Sequence, residues 1–321
     1  MRRRGERGDV ALTSLLVGSL DGGEYAAWHA HLTQALPDER IVLAGEPHDP
    51  AAIDIAFVAN PPHGALAHYP ALRFIQSLWA GVDRLLGDPS LPDVPVARLV
   101  DPDLTQAMVE SVVAHVTALH RQTYAYARRQ AQREWKPLDQ PLARNRRVAI
   151  LGLGELGAAV AGVLAGLSFP VSGWSRSPRR VEGVECLSGD HGIETLLARA
   201  DILVNLLPLT PDTTSILDRD LFARLPKGAG LVNVARGAHL VEGDLLAALD
   251  ENRIGHAILD VFHEEPLPPD HPFWSHPRIS VFPHVAAYSA PESAARIAAA
   301  NVLAFRQGRP MTGLVDRTRG Y

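Results

Sequence analysis

The sequence predicts an α/β protein made of two doubly wound parallel-sheet domains. Three observations predict it. Short apolar runs alternate with helix-like stretches through the first third of the 321 residues. The alternation starts afresh at Val148 and continues to about residue 282. Between the two lies EWKPLDQPLARNRR, Glu134 to Arg147, a segment that Pro137 and Pro141 break into a linker. Strands alternating with helices give a parallel sheet with helices on both faces, a Rossmann-like arrangement.

Taken in order, the apolar runs Ala11–Val17, Ile41–Ala44, Ile53–Val58, Phe74–Leu78 and Val96–Val100 read as strands of the first domain, with Glu24–Leu36 as an intervening helix. A long helix is expected from Leu104 to about Arg133, because Val109, Val112, Val113, Val116 and Leu119 recur at helical spacing. The second domain supplies strands at Val148–Leu151, Val171–Trp174, Ile202–Leu206, Gly230–Ala235, Ala257–Phe262 and Ile279–Phe282. Asp244–Asp250 reads as one of its helices, and a last helix spans Pro291 to Gln307.

The first strand of the second domain runs into G-x-G-x-x-G at Gly152, Gly154 and Gly157, and an Ala/Val/Leu-rich helix follows. That context marks a dinucleotide site. The first glycine permits the tight turn, the second lets backbone approach a pyrophosphate, and the third lets helix and strand pack closely. The helix N-terminus offers amide hydrogens and a positive dipole end to the phosphates. An NAD site places an acidic residue at the end of the next strand, for the ribose 2′-hydroxyl. This chain has no acid between Phe169 and Val181 and instead offers Ser175-Arg176-Ser177, with Arg179 and Arg180 beyond. A charge-assisted bond to a 2′-phosphate is worth roughly 1.5–3 kcal/mol, so each favours the phosphorylated cofactor by roughly ten- to a hundredfold. NADP(H) is the expected cofactor, with NAD(H) the lesser alternative.

Composition narrows the class. Hydrophobic residues make up 46% and charged residues 21%, as in ordinary globular proteins. A formal net charge of −5 argues against a nucleic-acid partner held by bulk electrostatics. Cys186 is the one cysteine, which excludes an internal disulfide and fits a reducing cytoplasm. No apolar run is long enough to span a bilayer, so no membrane partner is expected. MRRRGERGD followed by VALTSLLVGSL loosely mimics a signal peptide, but DGGEY offers no small-residue cleavage site. A solvated basic tail leading into the first strand is expected instead. The 14 histidines include no H-E-x-x-H and no cysteine–histidine cluster at zinc spacing, so no metal is expected.

Ligands of open α/β sheets sit at the carboxyl ends of the strands. Three consecutive strand ends of the second domain present Arg236 after LVNVA, Glu264 and Glu265 after HAILDVF, and His284 after ISVFP. Arginine grips a carboxylate bidentately, and histidine can protonate a carbonyl oxygen near neutral pH. A carboxylate beside the histidine orients it and favours its charged form. The set suits reduction of a 2-keto acid.

VNVARG (Val232 to Gly237), LDVFHEEPLP (Leu259 to Pro268) and PHVAA (Pro283 to Ala287) resemble the arginine, glutamate and histidine signatures of the D-2-hydroxyacid dehydrogenases. WSRS, LVNLLP and the terminal VDRTRGY are closest to the bacterial glyoxylate/hydroxypyruvate reductases within that family. The resemblance covers Leu72 to the end well. It implies Arg236 as the residue on substrate carboxylate and carbonyl, His284 as the acid/base and Glu265 as its partner. It implies a substrate-carboxylate clamp in WAGVD, with backbone amides around Ala80 and Gly81, and Trp79 beside them as a further substrate-binding residue. It implies cofactor contacts at Gly152, Gly154, Glu155, Leu156, Gly157, Ser175, Arg176, Ser177, Leu207, Pro208, Thr213, Val234, Ala235, Arg236, Asp260 and His284. Residues 1–103 with 289–321 become a flavodoxin-like substrate domain, and 104–288 the inserted dinucleotide domain, with the active site in the cleft between them. A homodimer follows, with the arm around Gln122–Pro141 reaching over the partner. The expected reaction is NADPH-dependent reduction of glyoxylate to glycolate and hydroxypyruvate to D-glycerate. The alternatives are another 2-keto acid or oxyanion, and a dinucleotide-sensing binding protein of the same fold.

Overall fold

The computed structural model describes residues 12–321, so the basic tail and Ala11 lie outside the described residues. The chain divides into two compact units, Met1–Asp103 with Ser289–Tyr321, and Leu104–Tyr288.

In the first unit, β1 (Leu12–Gly18), β2 (Glu39–Leu43), β3 (Ile53–Ala59), β4 (Phe74–Ser77) and β5 (Val96–Ala97) form one sheet in the order β2-β1-β3-β4-β5. Every pairing is parallel. This is the flavodoxin-like order, whose reversal point lies between β1 and β3. The helix α1 (Gly22–Ala35) crosses from β1 to β2. Asp21 caps it by accepting from the Glu24 amide, and Glu24 reaches back to the Asp21 amide. A one-turn helix, α2 (Asp83–Leu86), follows β4. The fifth strand is two residues long where five were expected, because the chain leaves the sheet at Arg98 to bond the Gly313 carbonyl.

The chain passes into the second unit within the first turn of α3 (Pro102–His120), and α4 (Thr123–Gln132) follows. The single helix expected from Leu104 to Arg133 is therefore two. Gln122 breaks it in the left-handed region, at φ 58°. No glycine or proline marks the position. α3 buries an apolar face against the sheet, whereas α4 has no buried residue.

The sheet strands of this unit are β6 (Val148–Leu151), β7 (Val171–Trp174), β8 (Glu185–Leu187), β9 (Ile202–Asn205), β10 (Ala229–Asn233), β11 (Ile254–Leu259) and β12 (Ile279–Val281), with crossover helices α5 (Glu155–Gly166), α6 (Gly189–Leu197), α7 (Arg219–Arg224) and α8 (Glu242–Asp250). They order as β12-β11-β10-β9-β6-β7-β8, parallel throughout. Counted within the unit this is 3-2-1-4-5-6-7, the doubly wound order that reverses between its first and fourth strands. The strands VAIL and ILVN are buried at every position, as expected where helices cover both faces. Leu203, Leu231 and Leu259 face one apolar core, and Ile150, Val204, Val232 and Ile258 the other. The chain returns to the first unit with α9 (Pro291–Arg306).

Candidate active site

The glycine turn sits at the reversal point, between β6 and its neighbours β7 and β9. The Gly152 amide bonds the Trp174 carbonyl, and the Leu206 amide bonds the Leu151 carbonyl. Gly152 has φ +99°, and a Cβ at Gly157 would lie 1.8 Å from the Gly152 carbonyl oxygen. Any side chain at Gly157 would push the helix off the turn. At Gly154, by contrast, a Cβ would meet nothing within 4 Å. The turn is thus closed on its strand side and open above Gly154, where α5 begins without a side-chain cap. Glu155 and Leu156 open that helix. The open cradle fits a pyrophosphate, whose oxygens suit uncapped helix amides.

At the end of β7, the Ser175 hydroxyl donates to the Ser177 carbonyl, 2.8 Å. Arg176 is exposed and lies 3.6 Å from Asp212 in the loop beyond β9. An exposed pair of this kind is worth at most about 1 kcal/mol, so a phosphate can replace Asp212 at small cost. The loop is fixed by Thr213, whose hydroxyl donates to the Pro208 carbonyl and accepts from the Thr210 amide. Leu207 and Thr213 are buried.

Three further loops lie side by side because the ladder continues past the strands. The Asp260 amide bonds the Asn233 carbonyl, the Phe282 amide bonds the Leu259 carbonyl, and the His284 amide bonds the Asp260 carbonyl. Gly237 lets the first two loops touch, since a Cβ there would lie 1.9 Å from the Phe262 carbonyl carbon. Arg236 follows the buried Val234 and Ala235, and its guanidinium donates to the Ala235 carbonyl at 2.7 Å. Glu265 accepts the Phe262 amide on one oxygen at 2.9 Å and meets His284 Nδ1 with the other at 2.8 Å.

The electrostatics follow from this pairing. The bond to Glu265 raises the pKa of His284, with burial and Arg236 opposing. Burial alone would raise Glu265, but the bonds from His284 and the Phe262 amide outweigh it and hold the carboxyl low. Asp260 is 1% exposed and accepts the Val285 and Ala286 amides, one on each oxygen. Burial raises its pKa against the pull of those two amides. Asp260 therefore braces the turn that carries His284.

Arg236, Glu265, His284 and Asp260 come together on three adjacent strand ends, and Gly152 to Gly157, Ser175 to Ser177, and Leu207 to Thr213 on three others. Trp79, Ala80 and Gly81 belong to the other unit, half-buried beyond β4. The Trp79 ring meets Trp28 edge to face at 6.0 Å, and its carbonyl accepts the Leu99 amide. Sequence reasoning missed Asn205, Asn233 and His239, each wholly buried in the second unit. Their signal was an asparagine closing each of two otherwise apolar strands, ILVN and GLVN.

The doubly wound sheet and its glycine turn define a dinucleotide-binding α/β protein. Residues 113–286 match the model of the D-isomer specific 2-hydroxyacid dehydrogenase, NAD binding domain. The chain belongs to the D-isomer specific 2-hydroxyacid dehydrogenase family. It is 43% identical to glyoxylate/hydroxypyruvate reductase A of Serratia proteamaculans over 92% of this chain and 96% of that one. It is similar in structure to a D-isomer specific 2-hydroxyacid dehydrogenase from Xanthobacter autotrophicus, solved with NADPH and MES, at TM-score 0.92 and 39% identity, over 97% of this chain and 100% of that one. It is also similar to the NADPH-dependent glyoxylate/hydroxypyruvate reductase of Sinorhizobium meliloti, solved with NADP and sulfate, at TM-score 0.90 and 37% identity, over 96% and 99%.

Proposed function

We propose that this chain reduces small 2-keto acids with NADPH, converting glyoxylate to glycolate and hydroxypyruvate to D-glycerate. The observation that carries the reading is the 2.8 Å contact of His284 Nδ1 with Glu265, on strand ends that also present Arg236. The names of the relatives and the NADPH or NADP in the solved structures support the same substrates and cofactor.

Bound NADPH supplies the hydride. The glycine turn and α5 would hold its pyrophosphate, and Ser175, Arg176 and Ser177 its 2′-phosphate. Arg236 holds the carboxylate of the keto acid as a bidentate donor. His284 donates Nδ1–H to Glu265, so Nε2 carries the proton for the carbonyl oxygen. That oxygen gains negative charge as hydride reaches its carbon, and the imidazolium proton neutralises it to a hydroxyl. Glu265 acts by keeping the ring charged and oriented. Ala80 and Gly81 contribute backbone amides to the substrate carboxylate, beside Trp79, whose own amide donates to the Ser77 hydroxyl.

The test is NADPH consumption followed by absorbance with glyoxylate, hydroxypyruvate and bulkier 2-keto acids. Turnover of the two small acids is expected. Tight NADPH binding with no turnover of any 2-keto acid contradicts the proposal and favours a sensing role. A homodimer in the cytoplasm belongs to the same reading. The single cysteine suits that compartment, and Trp135, 99% exposed on the segment after α4, suits a partner surface.

A further inference from the structure

We propose that His239, with Asn205 and Asn233, is a positioning residue that sets the spacing between the cofactor loop and the substrate-gripping Arg236. The inference rests on the reading above for the roles of those two loops. The hydrogen bonds themselves lie within the second unit.

Each of the three side chains is wholly buried, where an unpaired polar atom is costly. Fixed backbone groups dictate the direction of every bond. The Leu207 amide can only donate, so Asn205 Oδ1 faces it, at 3.3 Å. Asn205 Nδ2 therefore faces the other way and donates to both Asn233 Oδ1 and His239 Nδ1, each at 3.0 Å. The Ala235 amide likewise requires Asn233 Oδ1, at 3.3 Å, and Asn233 Nδ2 donates to the Arg236 carbonyl at 3.1 Å. Since His239 Nδ1 accepts, its ring hydrogen sits on Nε2, which is 3.3 Å from the Pro208 carbonyl. The same carbonyl also accepts the Thr213 hydroxyl at 2.7 Å.

The result is one connected path. It runs from Leu207 and Pro208, on the loop beyond β9, to Ala235 and Arg236, on the loop beyond β10. An apolar filling would pack as well but would take their partners from the Leu207 and Ala235 amides and remove the link between the loops, although the Pro208 carbonyl keeps the Thr213 hydroxyl and the Arg236 carbonyl keeps the His239 amide. Hydride and proton transfer tolerate little misplacement of the reacting partners, so a device that holds these two loops in register acts on both cofactor affinity and rate.

The variants are His239→Leu, which removes both ring contacts, His239→Gln, whose side-chain amide can still donate to Pro208, and His239→Asn, which reaches only Asn205. NADPH affinity is read by titration of intrinsic fluorescence, which needs no turnover, and kcat and KM by NADPH consumption. His239→Leu is expected to weaken NADPH about tenfold and to lower kcat. His239→Gln should recover most of the affinity, and His239→Asn should not. An affinity and kcat within twofold of wild type in folded His239→Leu, with only a lowered melting temperature, overturns the proposal. Equal rescue by Gln and Asn overturns it too. Should the Leu variant fail to fold, nitrogen NMR of the histidines in the wild-type chain supplies the second test. A hydrogen on His239 Nε2 is expected, and one on Nδ1 contradicts the network. If wild type binds NADPH but reduces no 2-keto acid, the proposed reaction fails, while the affinity series still decides this inference.

Discussion

His284 occupies left-handed backbone at φ 54°, which costs a residue with a side chain roughly 1–2 kcal/mol. The Asp260 carbonyl and carboxylate hold it there through three successive amides, those of His284, Val285 and Ala286. Glu265 then sets the charge. Because the bond to Glu265 is the largest cause of the raised His284 pKa, the protonated ring persists to higher pH, and reduction should decline only as pH rises through that raised value. Glu265→Gln should move the alkaline limb of the kcat/KM profile to lower pH. An unmoved limb would remove Glu265 from this role. Arg176 is argued on different ground, since its partner Asp212 is 80% exposed and readily replaced. Arg176→Ala should weaken NADPH by roughly ten- to a hundredfold and leave NADH within about twofold. Equal loss for the two cofactors, measured by titration, would refute the 2′-phosphate pocket.

At the scale of elements, the strands were legible because burial on both faces demands continuous apolar runs, as in β6 and β9. The strand ends were legible because Arg236, Glu265 and His284 each follow such a run directly. Other features left no trace of that kind. β8 is three residues, ECL, with no buried position, and nothing in its composition marks a strand. The break at Gln122 depends on a backbone conformation that glycine would have advertised and glutamine does not. The Asn205–Asn233–His239 path joins residues 28 and 34 positions apart, which only the sheet order brings together. The packing of α4 on the sheet edge was equally silent. There the Tyr124 ring stacks on His256 at 4.4 Å, and His256 Nε2 meets the Ser280 hydroxyl. Burial, followed by Arg128, pushes His256 down from 6.5 to about 4. The unfolded chain takes up this proton near the ordinary value and the folded chain does not. Stability should therefore fall as pH drops from 6.5 toward 4. In His256→Gln the fall across that window should be shallower, as measured by urea unfolding. A slope equal to wild type would refute the assignment.

For the whole molecule, the residues of the proposed chemistry divide between the two units in sequence. The second unit holds the glycine turn, Arg236, Glu265 and His284, and the first holds Trp79 to Gly81. Among the described residues no helix is long and apolar enough to cross a membrane. The proposed homodimer rests on the polar, proline-broken segment after α4 and on the uncovered ring of Trp135. Light scattering should return twice the chain mass, and Trp135→Glu should shift the population toward monomer. A monomeric wild-type protein would contradict the assembly without touching the chemistry. The chemistry itself stands on His284. In His284→Ala, kcat for hydroxypyruvate with NADPH should fall by about 10²–10⁴-fold while NADPH affinity stays within about twofold of wild type. An unchanged kcat, or a loss of NADPH affinity that accounts for the whole defect, would contradict His284 as the proton donor.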